Sequence, residues 1–137
     1  MKKFFVIIFS LIIIFGFKSV SAGTYLTIGP IFDFYKVGDS VPITIHIKNT
    51  PETARKINFY ISDTALFDPI SAQNHLKASF TPPAAGAEGV FSYTWDTKAA
   101  QSNAGQHYFT AYLLDENGNT IEQGQDTQTF NLLGATD

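Results

Sequence analysis

The sequence of 137 residues contains no cysteine, one methionine and one tryptophan, and only 15% of its residues are charged. Without cysteine the chain forms no disulfide and no thiolate metal site, so packing must stabilise the fold. Basic residues do not cluster beyond the neighbouring pair Arg55 and Lys56. Nucleic-acid binding depends on clustered Lys and Arg that displace counterions from phosphates. We therefore expect no nucleic-acid partner.

Long hydrophobic runs are absent except at the N-terminus. Two lysines follow Met1, fourteen residues from Phe4 to Phe17 form an apolar run, and Val20 and Ala22 then occupy small-residue positions. This order predicts a secretory signal peptide over residues 1–22. The alternative is an uncleaved membrane anchor, which would need about 20 apolar residues. We expect cleavage after Ala22, no membrane insertion afterwards, and secretion to the periplasm, cell surface or extracellular space.

The remaining residues 23–137 suit one domain. Removal of the three lysines in the signal peptide would change the net charge from −3 to −6. The chain has no N-x-S/T glycosylation sequon, which agrees with a bacterial origin.

The dominant hydrophobic period in this domain is two, which is typical of half-buried strands. Alternation is clear over residues 41–48, 57–62, 91–95 and 107–114. Weaker strands are predicted over residues 25–28, 31–35, 77–80, 120–123 and 128–132, and residues 63–75 have room for one helical turn. The pattern predicts an all-β fold of about seven to nine strands, either a sandwich or a barrel.

Two turn signals mark the last third of the chain. Asn117 and Gly118 lie between two strands and predict a type I′ hairpin turn, in which both central residues have positive φ. Gly124 predicts a bulge in the final strand.

Several motifs resemble the bacterial extracellular immunoglobulin-like domains of adhesion proteins. The segments that carry the resemblance are Tyr93-Thr94-Trp95-Asp96-Thr97, Gly105-Gln106-His107, Thr110-Ala111 and Asp115 with Gly118-Asn119, together with Val37-Gly38-Asp39-Ser40-Val41 and Ile47-Lys48-Asn49-Thr50. The resemblance covers about half of the domain. Residues 63–89 depart from the family's pattern, which implies an insertion there.

The resemblance implies an immunoglobulin-like β-sandwich with Greek-key connections. It also implies structural roles for the matched residues. Trp95 and Phe109 are expected in the core between the sheets. His107 takes a corner position often held by Tyr, from which its ring can bond to backbone upstream. Asn117 and Gly118 are expected to close the last hairpin.

No motif in the sequence predicts a metal site, a cofactor site or a catalytic site. His46, His75 and His107 are not close in sequence, which argues against a zinc site. The acidic segment 115–119 is not followed by the glycine that a calcium-binding loop has at its sixth position. We therefore expect no metal and no cofactor. The chain has no G-x-S-x-G elbow. We expect no enzymatic activity, although a small secreted hydrolase with two carboxylates stays open as an alternative.

The candidate binding surface is a sheet face that carries tyrosines. Alternation turns the side chains of Tyr60, Tyr108, Thr110 and Tyr112 away from the core. In immunoglobulin strand order the strands that carry them are neighbours, so these side chains share one sheet face. Tyrosines beside hydroxyl groups suit sugar stacking or protein contact, whereas the alternative is ordinary cross-strand packing. We predict a secreted binding or adhesion module with a protein or glycan partner.

A second hypothesis is self-association. Residues 25–35 are rich in aromatic and aliphatic side chains and are broken by Gly29 and Pro30. This segment either changes sheets at the Gly-Pro kink or exchanges with a neighbouring subunit. Strand exchange would make the protein a structural subunit of an extracellular filament or matrix.

Overall fold

The computed structural model of the protein describes residues 25–29, 34–66, 72–100 and 102–135. The predicted signal peptide, residues 1–22, lies outside the described residues, and so do residues 31–33 of one predicted strand. The described part forms seven strands and one 3₁₀ turn, Gln73–His75. The strands are β1 (Leu26–Ile28), β2 (Ser40–Ile47), β3 (Lys56–Ser62), β4 (Leu76–Phe80), β5 (Gly89–Asp96), β6 (Gly105–Leu114) and β7 (Thr120–Leu132). No helix in these ranges is long and apolar enough to cross a membrane.

The strands form two antiparallel sheets. One has the order β1-β2-β5, and the other has the order β4-β3-β6-β7. Strands β2 and β5 pair although they are distant in sequence, and so do β3 and β6, because the chain crosses between the sheets. This arrangement confirms the predicted all-β sandwich.

The main core lies between the two sheets. Strand β2 shows the alternation most clearly: Val41, Ile43, Ile45 and Ile47 are buried, while the residues between them are exposed or half-buried. Aromatic rings fill the space between the sheets, and Trp95 packs edge-on against Phe109 with ring centroids 5.5 Å apart. Both expected core aromatics therefore lie in this cluster.

The N-terminal segment changes sheets within one chain. Strand β1 pairs with β2 in the three-stranded sheet. Lys36 then forms a parallel bridge with Leu133, next to strand β7 of the other sheet. Val37 N donates to Leu133 O at 2.9 Å, and Leu133 N donates to Tyr35 O at 3.0 Å. The described ends of this segment therefore contact different sheets of the same chain. The kink itself includes Pro30, which lies outside the described residues, and exchange of the segment between subunits stays a prediction.

The predicted type I′ turn is wrong. Gly118 has a positive φ, but Asn117 does not. Gln123, next to Gly124, also has a positive φ. The turn instead has Glu116 and Asn117 at its centre, with Gly118 N donating to Asp115 O at 3.1 Å. The Asp115 carboxylate decides this geometry, because its Oδ1 accepts backbone hydrogen bonds from two residues of the loop.

The predicted bulge at Gly124 is confirmed, and the two predicted C-terminal strands form the single strand β7. Tyr112 pairs with Gln125 while Leu114 pairs with Thr120, so residues 121–124 oppose one residue of β6. This excursion carries Gln123 O to Tyr25 N, which donates to it at 3.1 Å. The bulge therefore ties β7 to the start of β1.

Candidate functional site

The predicted tyrosine face exists, but most of it is covered. The rings of Tyr60 and Tyr112 meet edge-on with centroids 5.6 Å apart. Tyr60 is 0% exposed, Tyr112 is 1% exposed and Thr110 is 0% exposed. The covering side chains are Leu66, Ala72 and Leu76, which pack with the two tyrosines and Leu114 in a second hydrophobic cluster. The expectation of an exposed face is wrong at these three residues, and at the two tyrosines the cause is the cover formed by Leu66, Ala72 and Leu76.

The hydroxyls beneath this cover are used inside the protein. Asn58 Nδ2 donates to the Tyr60 hydroxyl at 3.0 Å, and Ser79 Oγ donates to Asn58 Oδ1 at 2.7 Å. The Tyr112 hydroxyl donates to Leu66 O at 3.4 Å. Burial raises the pKa of Tyr60 above its ordinary value of 10.0, and the hydrogen bond from Asn58 opposes that rise. The covered tyrosines therefore have partners that hold the sheet and its cover together.

Tyr108 is the member of the predicted face that stays accessible. It is half-buried on β6, opposite Thr129 of β7. It belongs to a surface, here called the polar strip, which consists of Gln106, Tyr108, Gln125, Thr127, Thr129 and Asn131. None of these side chains is charged, so the strip offers amide and hydroxyl groups beside one aromatic ring.

The three histidines do not converge on a metal site. His46 is exposed on the outer face of β2, whereas His75 and His107 line a cleft of about 250 Å³ at one end of the sandwich. His107 is 7% exposed, its ring packs edge-on against Trp95, and its Nε2 lies 2.7 Å from Asn103 O. Because a carbonyl accepts, Nε2 carries the proton, and the bond reaches backbone upstream as the resemblance implies. No group of three metal-ligating side chains occurs in the described ranges.

A concave surface lies on the outer face of the three-stranded sheet. Its volume is about 540 Å³, and we call it the three-strand groove. Its lining residues are Tyr25, Thr27, His46, Ile47, Lys48, Glu88, Gly89 and Val90.

Strand register explains why these residues meet. His46 pairs with Thr27 of β1 on one side and with Val90 of β5 on the other, so the three form one row across the sheet. A second row follows immediately, because Lys48 N donates to Tyr25 O at 3.1 Å. Glu88 extends this row on the β5 side. Gly89 pairs with the residue before Lys48, so Glu88, which precedes Gly89, lies opposite Lys48.

The groove combines charge of both signs with apolar surface. Lys48 and Glu88 are exposed, as is Val90, which is 59% exposed. Tyr25 is partly buried, packs against the core and lines the groove. Carboxylate, ammonium and imidazole groups can accept and donate hydrogen bonds beside an aromatic wall. This donor set suits a polar ligand without net charge.

Sequence reasoning missed this groove although it placed some of its residues. Alternation along β2 already turns His46 outward. Tyr25 and Glu88 join it only through the pairing of β1 and β5 with β2, which are distant in sequence. No local pattern reveals that adjacency.

No protein-family profile and no curated protein matches the sequence. Among solved structures, the β-glucosidase from Listeria innocua in complex with isofagomine matches 80% of this chain with a TM-score of 0.52 and 20% identity. A variant of that enzyme in complex with laminaribiose matches 82% of this chain with a TM-score of 0.54 and 19% identity. This likeness shows the fold alone. The match spans 16% of the glucosidase chain.

OgpA from Akkermansia muciniphila is a further structure with a similar part. It matches 80% of this chain and 29% of its own, with a TM-score of 0.47 and 21% identity.

Proposed function

We propose that the protein is a secreted or surface-associated binding module that holds a neutral saccharide in the three-strand groove. The observation that carries the proposal is the meeting of Tyr25, Lys48 and Glu88 in a concavity of about 540 Å³. Small-ligand sites typically have volumes of about 300–1,000 Å³ and combine apolar walls with a few polar groups.

The groove matches the chemistry of a sugar on two sides. A sugar ring presents hydroxyls that both donate and accept, so the Glu88 carboxylate can accept from one while the Lys48 ammonium donates to another. The faces of sugar rings also carry C–H groups, which pack on an aromatic wall such as that of Tyr25. Because Lys48 and Glu88 balance each other in charge, the groove favours a neutral saccharide over an anionic one.

The structural neighbours suggest the first saccharides to test. Structures of the Listeria innocua β-glucosidase are complexes with laminaribiose and with glucose. Laminaribiose is neutral and small enough to serve as a probe of the groove.

Binding without hydrolysis is part of the proposal. Glycoside hydrolysis uses a pair of carboxyl groups about 5–9.5 Å apart on either side of the scissile bond. Glu88 is the single carboxylate among the described residues that line the groove. This supports a non-catalytic role in saccharide recognition.

Titration calorimetry with laminaribiose and other neutral oligosaccharides tests the proposal. Glu88→Gln keeps the size of the side chain but removes its charge, and Tyr25→Ala removes the aromatic wall. Each should weaken binding about tenfold, which corresponds to about 1.4 kcal/mol. Tyr108→Ala, on the opposite sheet, is the matched control and should bind as the unmodified protein does. Equal affinity for all four proteins would contradict the groove as the site.

The polar strip is a second candidate surface, for a protein or glycan partner. Its six uncharged side chains and the accessible ring of Tyr108 favour contact without a cost of desolvating charge. If this strip binds the ligand, Tyr108→Ala will lose affinity while Glu88→Gln keeps it. Tyr112→Ala would not test the strip, because Tyr112 is 1% exposed and belongs to the covered cluster.

A further inference from the structure

Strand β5 has one edge that pairs with no other strand in the described part of the chain. Its eight residues, Gly89–Asp96, pair with β2 without any register shift, and β5 ends its sheet. An unpaired edge presents a row of backbone N–H and C=O groups to which another strand can bind.

The other end strands carry features that hinder further pairing, whereas β5 does not. Strand β7 contains the bulge at residues 121–124, and backbone hydrogen bonds from Tyr25 to Gln123 and between Val37 and Leu133 occupy both of its ends. Strand β4 has five residues, carries Lys77, and its ladder with β3 contains an irregularity between Phe59 and Tyr60. Strand β1 has three residues. Short length, lysine and bulges are the usual features that prevent an edge from pairing further. Strand β5 contains no lysine, arginine or proline, and its one charged residue is Asp96 at its end.

The inward side chains of β5 are also less covered than those of β2. The inward residues of β2 are at most 1% exposed, whereas Gly89, Phe91 and Tyr93 of β5 are only half-buried. Phe91 contacts Phe80 of β4 with ring centroids 5.0 Å apart, and the two end strands meet here. A strand added to β5 would cover these aromatic side chains.

We propose that this edge pairs with the β5 edge of a second copy of the chain. Antiparallel pairing would join two three-stranded sheets into one six-stranded sheet. A two-fold axis at Tyr93 places Phe91 opposite Trp95 of the second copy and Ser92 opposite Thr94 of the second copy. Inward side chains then face inward in both copies, because residues an even number of positions apart share a face.

Charge selects this register over its neighbour. An axis at Ser92 would place Glu88 opposite Asp96 of the second copy, and like charges directly opposite are destabilising. The axis at Tyr93 brings Glu88 to the end of the strand where Lys98 of the second copy lies. Both side chains are exposed, and Asp96 Oδ1 accepts from Lys98 N at 3.1 Å, which holds Lys98 next to the strand end.

Sedimentation equilibrium from micromolar to millimolar concentration tests the pairing. The unmodified protein should form dimers. The double variant Ser92→Lys with Thr94→Lys places lysines opposite each other twice, and should raise the dimer dissociation constant at least tenfold. Thr127→Lys with Thr129→Lys adds the same charge at exposed positions of β7 and is the matched control, which should leave dimerisation unchanged.

Charge exchange tests the register, and also covers the case in which the double lysine variant fails to fold. Lys98→Glu alone should weaken the dimer, and Lys98→Glu combined with Glu88→Lys should restore it. A monomer at every concentration would overturn the proposal, as would a dimer that keeps its affinity with lysines at positions 92 and 94, or charge exchange that restores nothing. Mass is the measured quantity, so the outcome is independent of saccharide binding.

Discussion

Replacing Gly124 with alanine tests how the β7 bulge supports the groove. Gly124 is buried opposite β6. A Cβ atom at this position would lie 2.8 Å from Leu113 Cβ and 2.9 Å from Ile121 O. Neither atom can move by side-chain rotation, because one is a Cβ and the other belongs to the backbone. The strand itself must therefore shift.

The size of the effect follows from this crowding. Non-bonded carbon atoms are at their best separation at about 3.5–4.0 Å, so the added methyl group would lie well inside that distance. Overpacking of a buried position typically costs about 1–3 kcal/mol. A loss of about 2 kcal/mol corresponds to a decrease in Tm of roughly 6–12 °C for a domain of this size. Since Gln123 O accepts from Tyr25 N, the shift should also disturb the Tyr25 side of the groove.

Urea denaturation and thermal melting of Gly124→Ala measure this loss. Gly134→Ala is the matched control, because a Cβ there meets nothing within 4 Å. The control should change the free energy of unfolding by less than about 0.5 kcal/mol. If Gly124→Ala is as stable as the control, the packing of the bulge described here is wrong.

Three further changes test other parts of the fold. Thr97→Val should lower the free energy of unfolding by about 1–3 kcal/mol in urea, because the buried Thr97 Oγ1 accepts from Gly38 N at 2.8 Å and donates to Asp39 O at 2.7 Å; a loss below 0.5 kcal/mol would refute this role. Asp115→Ala should cost about 1 kcal/mol by the same assay, since its carboxylate accepts two backbone hydrogen bonds of the turn; an unchanged midpoint would contradict it. Burial raises the pKa of Tyr60, so its contribution to stability is complete below the ordinary pKa of 10.0 and is lost as the pH rises beyond it. Tyr60→Phe should therefore lose less stability at alkaline pH than the unmodified protein, and identical pH profiles would refute this.

Much of the fold is predictable from local sequence pattern. The alternation of Val41, Ile43, Ile45 and Ile47 defines the buried face of β2, since successive side chains of a strand point to opposite faces. The same periodicity predicts β3, β5 and β6 within a few residues of their observed bounds.

The errors arise where distant contacts decide the structure. Alternation correctly turns Tyr60 and Tyr112 away from the main core, but it cannot reveal that Leu66, Ala72 and Leu76 cover them. These covering residues show no regular period because they lie partly in irregular chain. The groove was missed for a related reason, since β1, β2 and β5 become neighbours only through long-range pairing.

An NMR titration of the labelled protein with laminaribiose tests whether the three-strand groove binds a saccharide. We predict concentration-dependent shifts of the backbone amides of His46, Lys48 and Glu88, with the amides of Tyr108 and Thr129 unchanged. Shifts centred on Tyr108, or the absence of any shift with laminaribiose and other neutral oligosaccharides, would contradict the groove as a saccharide site.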